Sequence, residues 1–89
     1  MRAVITVIGK DMVGILARVS ETCARHNINV IEVTQSILQD LFAMIMMVEI
    51  VQSDVPFTQF AEELNGIGQE MGLSVHVMHE DIFNAMHTI

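Results

Sequence analysis

Residues 4–33, VITVIGKDMVGILARVSETCARHNINVIEV, constrain the fold of this chain more than any other stretch. Val4 to Ile8 is a short β-branched run, the composition of a buried strand. Gly9-Lys10-Asp11 breaks it. In the segment that follows, Leu16, Val19 and Cys23 recur at i, i+3 and i+7, so one helix face is apolar, with Arg18, Glu21 and Arg25 on the other. Glu21 precedes Arg25 by four, the favourable order for a weak helical ion pair. Asp11 stands where the N-cap is expected, and His26-Asn27 ends a helix predicted over about 13–27. Ile28 to Val33 opens a second strand. The unit is a βαβ crossover whose first loop meets a helix N-terminus. Unpaired backbone N–H groups and the helix dipole favour an anion there, so the functional site is expected in that loop.

The second strand runs on to about Gln39, and Gln39-Asp40 is a tight turn without glycine. LFAMIMMVEIV, Leu41 to Val51, reads as a returning strand, although its Leu, Ala and Met also suit a helix. Asp54 is placed to cap a second helix with Pro56 in its first turn. Phe57, Phe60, Ala61, Leu64, Ile67 and Met71 then repeat at helical spacing, with Glu62, Glu63, Gln69 and Glu70 outside. Gly72 is a natural stop. Leu73 to Glu80 is a fourth strand, and Ile82, Phe83, Met86 and Ile89 form a short helical stripe at the C-terminus. The order βαββαβ predicts an α+β, ferredoxin-like sandwich: a four-stranded antiparallel sheet with two helices on one face and a short helical tail.

The strands carry a second message. Ala3, Ile5 and Val7 face one way in the first strand, and Val4, Thr6 and Ile8 the other. Phe42, Met44, Met46 and Val48 in the third oppose Ala43, Ile45, Met47 and Glu49. Both faces are mostly apolar, more than one helical layer covers. The open face therefore needs a cover from the C-terminal segment, a second subunit, or both. A chain of 89 residues holds one domain, 1–89, with a core of about 1–80 and a tail of 81–89. It buries only about 60–65% of its unfolded surface, another reason to expect at least a homodimer.

Charge and composition exclude several functions. Four Lys and Arg stand against eleven Asp and Glu, a net charge of −7, with no Trp or Tyr. A nucleic-acid surface needs cations for phosphate and aromatics for stacking, so no nucleic-acid partner is expected, and anionic membranes are disfavoured too. With 52% apolar residues the chain is not disordered. No apolar run approaches the length of a membrane span, and residues 3–8, followed at once by Lys10-Asp11, are too short for the apolar region of a signal peptide, which leads to the expectation of a complete cytoplasmic protein. The single cysteine, Cys23, cannot form an internal disulfide and reads as a buried thiol. No nucleophile with a neighbouring base, phosphate loop or paired cysteine ligand set is visible, so neither an enzyme nor a cofactor is expected. His76 and His79, three apart on a strand, point to opposite faces and cannot chelate together.

Asp11-Met12-Val13-Gly14-Ile15-Leu16, a helix, and then His26-Asn27-Ile28-Asn29-Val30 resemble the ACT domain. These small ferredoxin-like modules bind amino acids and regulate metabolic enzymes. The family pattern has an acidic or amide residue, any residue, Pro, Gly and apolar residues, then an Ile/Val-Asn-Ile/Val strand start. Val13 replaces the family proline, which leaves the loop less rigid, while Gly14 is retained. The resemblance covers residues 1 to about 80 in element order. The C-terminal HEDIFNAMH is similar to that of free-standing bacterial ACT proteins. The resemblance implies an amino-acid-like ligand at a dimer interface and a regulated enzyme or regulator protein as partner. The site would comprise Asp11, Met12, Val13, Gly14, Ile15 and Asn29. Asp11 would accept from the ligand ammonium, although its simpler role is a cap worth about 1 kcal/mol. The backbone N–H groups of Met12 to Ile15 would hold a carboxylate. Gly14 would admit the ligand or pack against a strand. Asn29 matches a family position that reaches the ligand from the second subunit, and is otherwise an ordinary polar edge residue. Two alternatives stand beside this reading: a ligand-free dimeric interaction scaffold, and a metal-binding protein using His79, Asp81 and His87.

Overall fold

The computed structural model describes residues 1–10 and 14–86. In chain order the elements are β1 (Arg2–Gly9), α1 (Ile15–Arg25), β2 (Asn29–Leu38), β3 (Leu41–Glu49), α2 (Phe57–Met71), β4 (Ser74–His79) and α3 (Glu80–Met86). The strands form one antiparallel sheet in the order β2-β3-β1-β4. This is the ferredoxin-like arrangement expected from βαββαβ, and 41–49 is a strand despite its helix-compatible composition.

Face alternation follows the sequence pattern. Ala3, Ile5 and Val7 of β1 and Met44, Met46 and Val48 of β3 pack against Ile15, Val19 and Cys23 of α1 and Phe60, Leu64 and Ile67 of α2. Three rows of cross-strand partners cover the opposite, open face. One row is Met78–Val4–Met47–Glu32, the next His76–Thr6–Ile45–Thr34, and the last Ser74–Ile8–Ala43–Ser36. β2 is an edge strand, exposed from Asn29 to Ile37, with a register shift between Val30 and Glu32 that leaves Ile31 as a bulge.

Both long helices end as their sequences suggest. Asn27 (φ 61°) and Gly72 (φ 72°) adopt the left-handed conformation. The N–H of Ile28 donates to the Cys23 carbonyl at 2.8 Å and that of Leu73 to the Gly68 carbonyl at 2.7 Å, the closing bonds of two Schellman turns. In the β2–β3 turn only Gln39, at the first central position, has a positive φ of 57°. That is the sign pattern of a type II′ turn, which normally favours glycine there.

The helix starts differ from expectation. α1 begins at Ile15 with Gly14 as its N-cap and no side-chain cap; Asp11, expected at the cap, lies outside the described residues. Its buried face is Ile15, Val19, Thr22 and Cys23, and Leu16, 100° further round, is 39% exposed. Arg25 pairs with Glu63 of α2 rather than with Glu21, and Arg18 pairs with Glu70 at 3.2 Å. α2 begins at Phe57 with Pro56 as N-cap. Asp54 does not cap it, because its carboxylate is engaged by His26.

Candidate functional site

The loop ahead of α1 is placed by β1, which ends at Gly9 beside Phe42 of β3. Lys10 follows and pairs with Asp40 of the β2–β3 turn at 3.6 Å. Asp11, Met12 and Val13 lie outside the described residues. Gly14 adopts φ 80°, ψ −3°. A Cβ there would meet no atom of the described residues within 4 Å, and the positive φ is the conformation that calls for glycine. The first intrahelical bond runs from the N–H of Arg18 to the Gly14 carbonyl at 3.0 Å, which leaves the amides of Ile15, Leu16 and Ala17 without a helical acceptor. The Ile15 side chain is buried in the core, so only its backbone N–H can face a ligand.

Asn29 is exposed at the start of β2, opposite Glu49, which in turn sits opposite Arg2. The loop leaves from the other end of β1. Gly9 is seven residue steps along the extended strand from Arg2, roughly 23 Å. One chain therefore does not bring Asn29 and Gly14 together.

His76 and His79 pair with Thr6 and Ala3, on different faces of the sheet, as their spacing requires. His79 Nδ1 stands 3.6 Å from Asp81 Oδ2 and accepts the Asp81 backbone N–H at 3.0 Å. His87 lies outside the described residues, and among those described no three His, Cys, Asp or Glu side chains are placed to hold a metal.

A titratable cluster at the far end of α1 has no sequence signature. His26 is 8% exposed. Its Nδ1 stands 2.7 Å from Asp54 Oδ1 in the β3–α2 loop, and its Nε2 stands 2.7 Å from Glu63 Oε2 of α2. Arg25 meets the other oxygen of Glu63. The ring packs edge-on against Phe60, with centroids 6.4 Å apart. Both ring nitrogens can donate to carboxylates only in the imidazolium form. The hydrogen bond to Glu63, then that to Asp54, raises the His26 pKa above its ordinary 6.5 against the opposing effect of burial. The ring joins the end of α1 to the loop and α2. With partners 28 and 37 residues away, only the fold assembles this cluster.

Residues 2–78 match the model of the ACT domain. The chain belongs to the ACT domain family. A UPF0237 protein of Listeria innocua is 48% identical over 89 residues, covering 100% of each chain. One from Methanopyrus kandleri is 47% identical over 88 residues, covering 99% of this chain and 98% of its own. Among solved structures, an ACT domain protein from Streptococcus pneumoniae superposes with a TM-score of 0.79 at 33% identity, covering 98% of both chains. ACT domains are regulatory ligand-binding modules. The match ends at residue 78, so α3 is an addition to the part of the ACT domain that the family model describes. Among the described residues no helix is long and apolar enough to cross a membrane.

Proposed function

We propose that this chain is a non-catalytic, cytoplasmic regulatory module. It binds an amino acid or a similar small metabolite at a homodimer interface and passes that state to a partner enzyme or regulator. The site comprises Asp11 to Ile15 of one subunit and Asn29 of the other. Free amides at the start of α1 suit the ligand carboxylate, and the Asp11 carboxylate suits its ammonium.

The observation that carries this reading is the position of Gly14 and Asn29 at opposite ends of one sheet. β2 is a long exposed edge with apolar Val30, Val33 and Ile37 and no Lys, Arg or Pro to block pairing. Antiparallel pairing of two β2 edges about a twofold axis would deliver Asn29 of the partner subunit to the loop end of this one.

Calorimetric melting in the presence of each common amino acid tests the proposal. A ligand at 100 times its Kd adds about 2.7 kcal/mol to the native state. In a domain of this size each kcal/mol raises Tm by roughly 4–8 °C. A rise with one chemical group of amino acids is expected. No rise with any of them would leave the ligand-free scaffold as the better reading.

A further inference from the structure

The open face of the sheet is not bare. α3 lies over it, and Phe83 and Met86 close one side of a cavity of about 410 Å³ floored by Thr6, Ala43, Ile45 and His76. Phe83 also bounds a smaller hollow of about 190 Å³ beside Thr34 and Met47. The larger space falls within the size range of small-molecule sites. It lies on the face of the sheet opposite α1 and α2.

Its lining is mostly apolar with one polar corner. Thr6 and His76 are direct cross-strand partners in that corner. Neither side chain bonds to any described residue. A hydroxyl and an imidazole can each donate and accept a hydrogen bond, and no Lys or Arg lines the space to hold an anion. Around them Ile45 and Met86 remain 42% and 66% exposed, surface that an apolar body would cover.

We propose that the cavity beneath α3 is a second binding site, for a small uncharged molecule with an aromatic or branched aliphatic body and one hydroxyl or carbonyl group. The body lies between Ile45 and the Phe83–Met86 side of α3, and its polar group meets Thr6 and His76. A second copy of the chain fits this face poorly. α3 lies across it, Phe83 divides it into two hollows, and the acidic Glu32 at its margin would oppose its counterpart.

Methionine-methyl NMR with 4-ethylphenol as the probe tests this. Saturable shifts are expected at Met78 and Met86, with Met1 and Met71 unmoved. Ala43→Leu fills the floor and should weaken binding about tenfold or more. Met86→Glu, which puts a charge at the cavity's open side, should do the same with Met78 as reporter, should Ala43→Leu not fold. Thr6→Val with His76→Leu should erase the preference for 4-ethylphenol over ethylbenzene. Shifts that never saturate, unchanged affinity in the cavity variants, or tighter binding of the anion 4-ethylbenzoate would each overturn the proposal. So would shifts of Met78 and Met86 on protein dilution alone, which would assign the face to a second copy. None of these outcomes depends on the loop site.

Discussion

Raising the pH from about 5.5 to about 9 should destabilise this protein through one residue, His26. Its folded pKa lies above the ordinary 6.5. The stability it contributes is therefore complete below about 6.5 and is lost as pH climbs through the raised folded value. A hydrogen bond to a charged group is worth about 1.5–3 kcal/mol net. Glu63, 29% exposed at its side chain, makes the bond to His26 that sits near the low end of that range. Asp54, 64% exposed, adds no more than a surface ion pair, about 0–1 kcal/mol. The total is about 2 kcal/mol for the imidazolium. The neutral ring keeps one N–H for one carboxylate and turns a lone pair towards the other, so about 1–2 kcal/mol disappears at high pH. At roughly 4–8 °C per kcal/mol the change is easily read. Circular dichroism melts at fixed protein concentration suit a chain with no Trp or Tyr. His26→Gln should melt below the wild type at the acid end, and the gap should narrow as pH rises. A gap independent of pH would refute the assignment of the charge to His26.

Gly66 and Gly68 of α2 predict opposite signs for the same substitution. A Cβ on Gly68 would stand 2.5 Å from Val75 Cγ2 and 3.1 Å from the Leu73 carbonyl oxygen, so Gly68→Ala should cost about 1–3 kcal/mol in denaturant unfolding. A Cβ on Gly66 meets none of the described residues within 4 Å, so Gly66→Ala should stabilise by about 0.5–1 kcal/mol. Burial pushes the Cys23 thiol up to about 11, so Ellman's reagent should leave it untouched at about pH 8 until the chain unfolds. Sedimentation equilibrium should show a wild-type dimer, and Val33→Lys, on the exposed β2 edge, should shift it to monomer through like-charge contact. An equally stable dimer in that variant would move the interface elsewhere.

The strand faces were legible in the sequence because alternation needs only a period of two. Ala3, Ile5 and Val7 went inward for that reason, and Ile8 and Ile45 outward. The helix ends were legible because Asn27 and Gly72 are residues that tolerate the left-handed conformation. The helix starts were not. A cap competes with every other use of an aspartate, and the Asp54 carboxylate goes to His26 on another element. Leu16 was placed on the buried stripe because an i, i+3, i+7 pattern fits it nearly as well as Ile15, and only packing decides between faces 100° apart. The C-terminal stripe announced a helix, but the cavity beside Phe83 depends on where that helix lies. For the candidate loop site, the motif places Gly14 at a helix start. That Asn29 stands at the far end of the same sheet needed the strand register.

The central claim, a ligand held between the start of α1 and the partner's β2, is tested most directly by amide NMR titration with whichever amino acid raises Tm most. Saturable shifts are expected at Gly14, Ile15, Leu16 and Asn29, lost in Asp11→Ala and in a mixed dimer whose labelled subunit faces an Asn29→Ala partner. Shifts at Gly14 that persist unchanged in both variants, or a ligand that moves only amides away from this loop and Asn29, would contradict it.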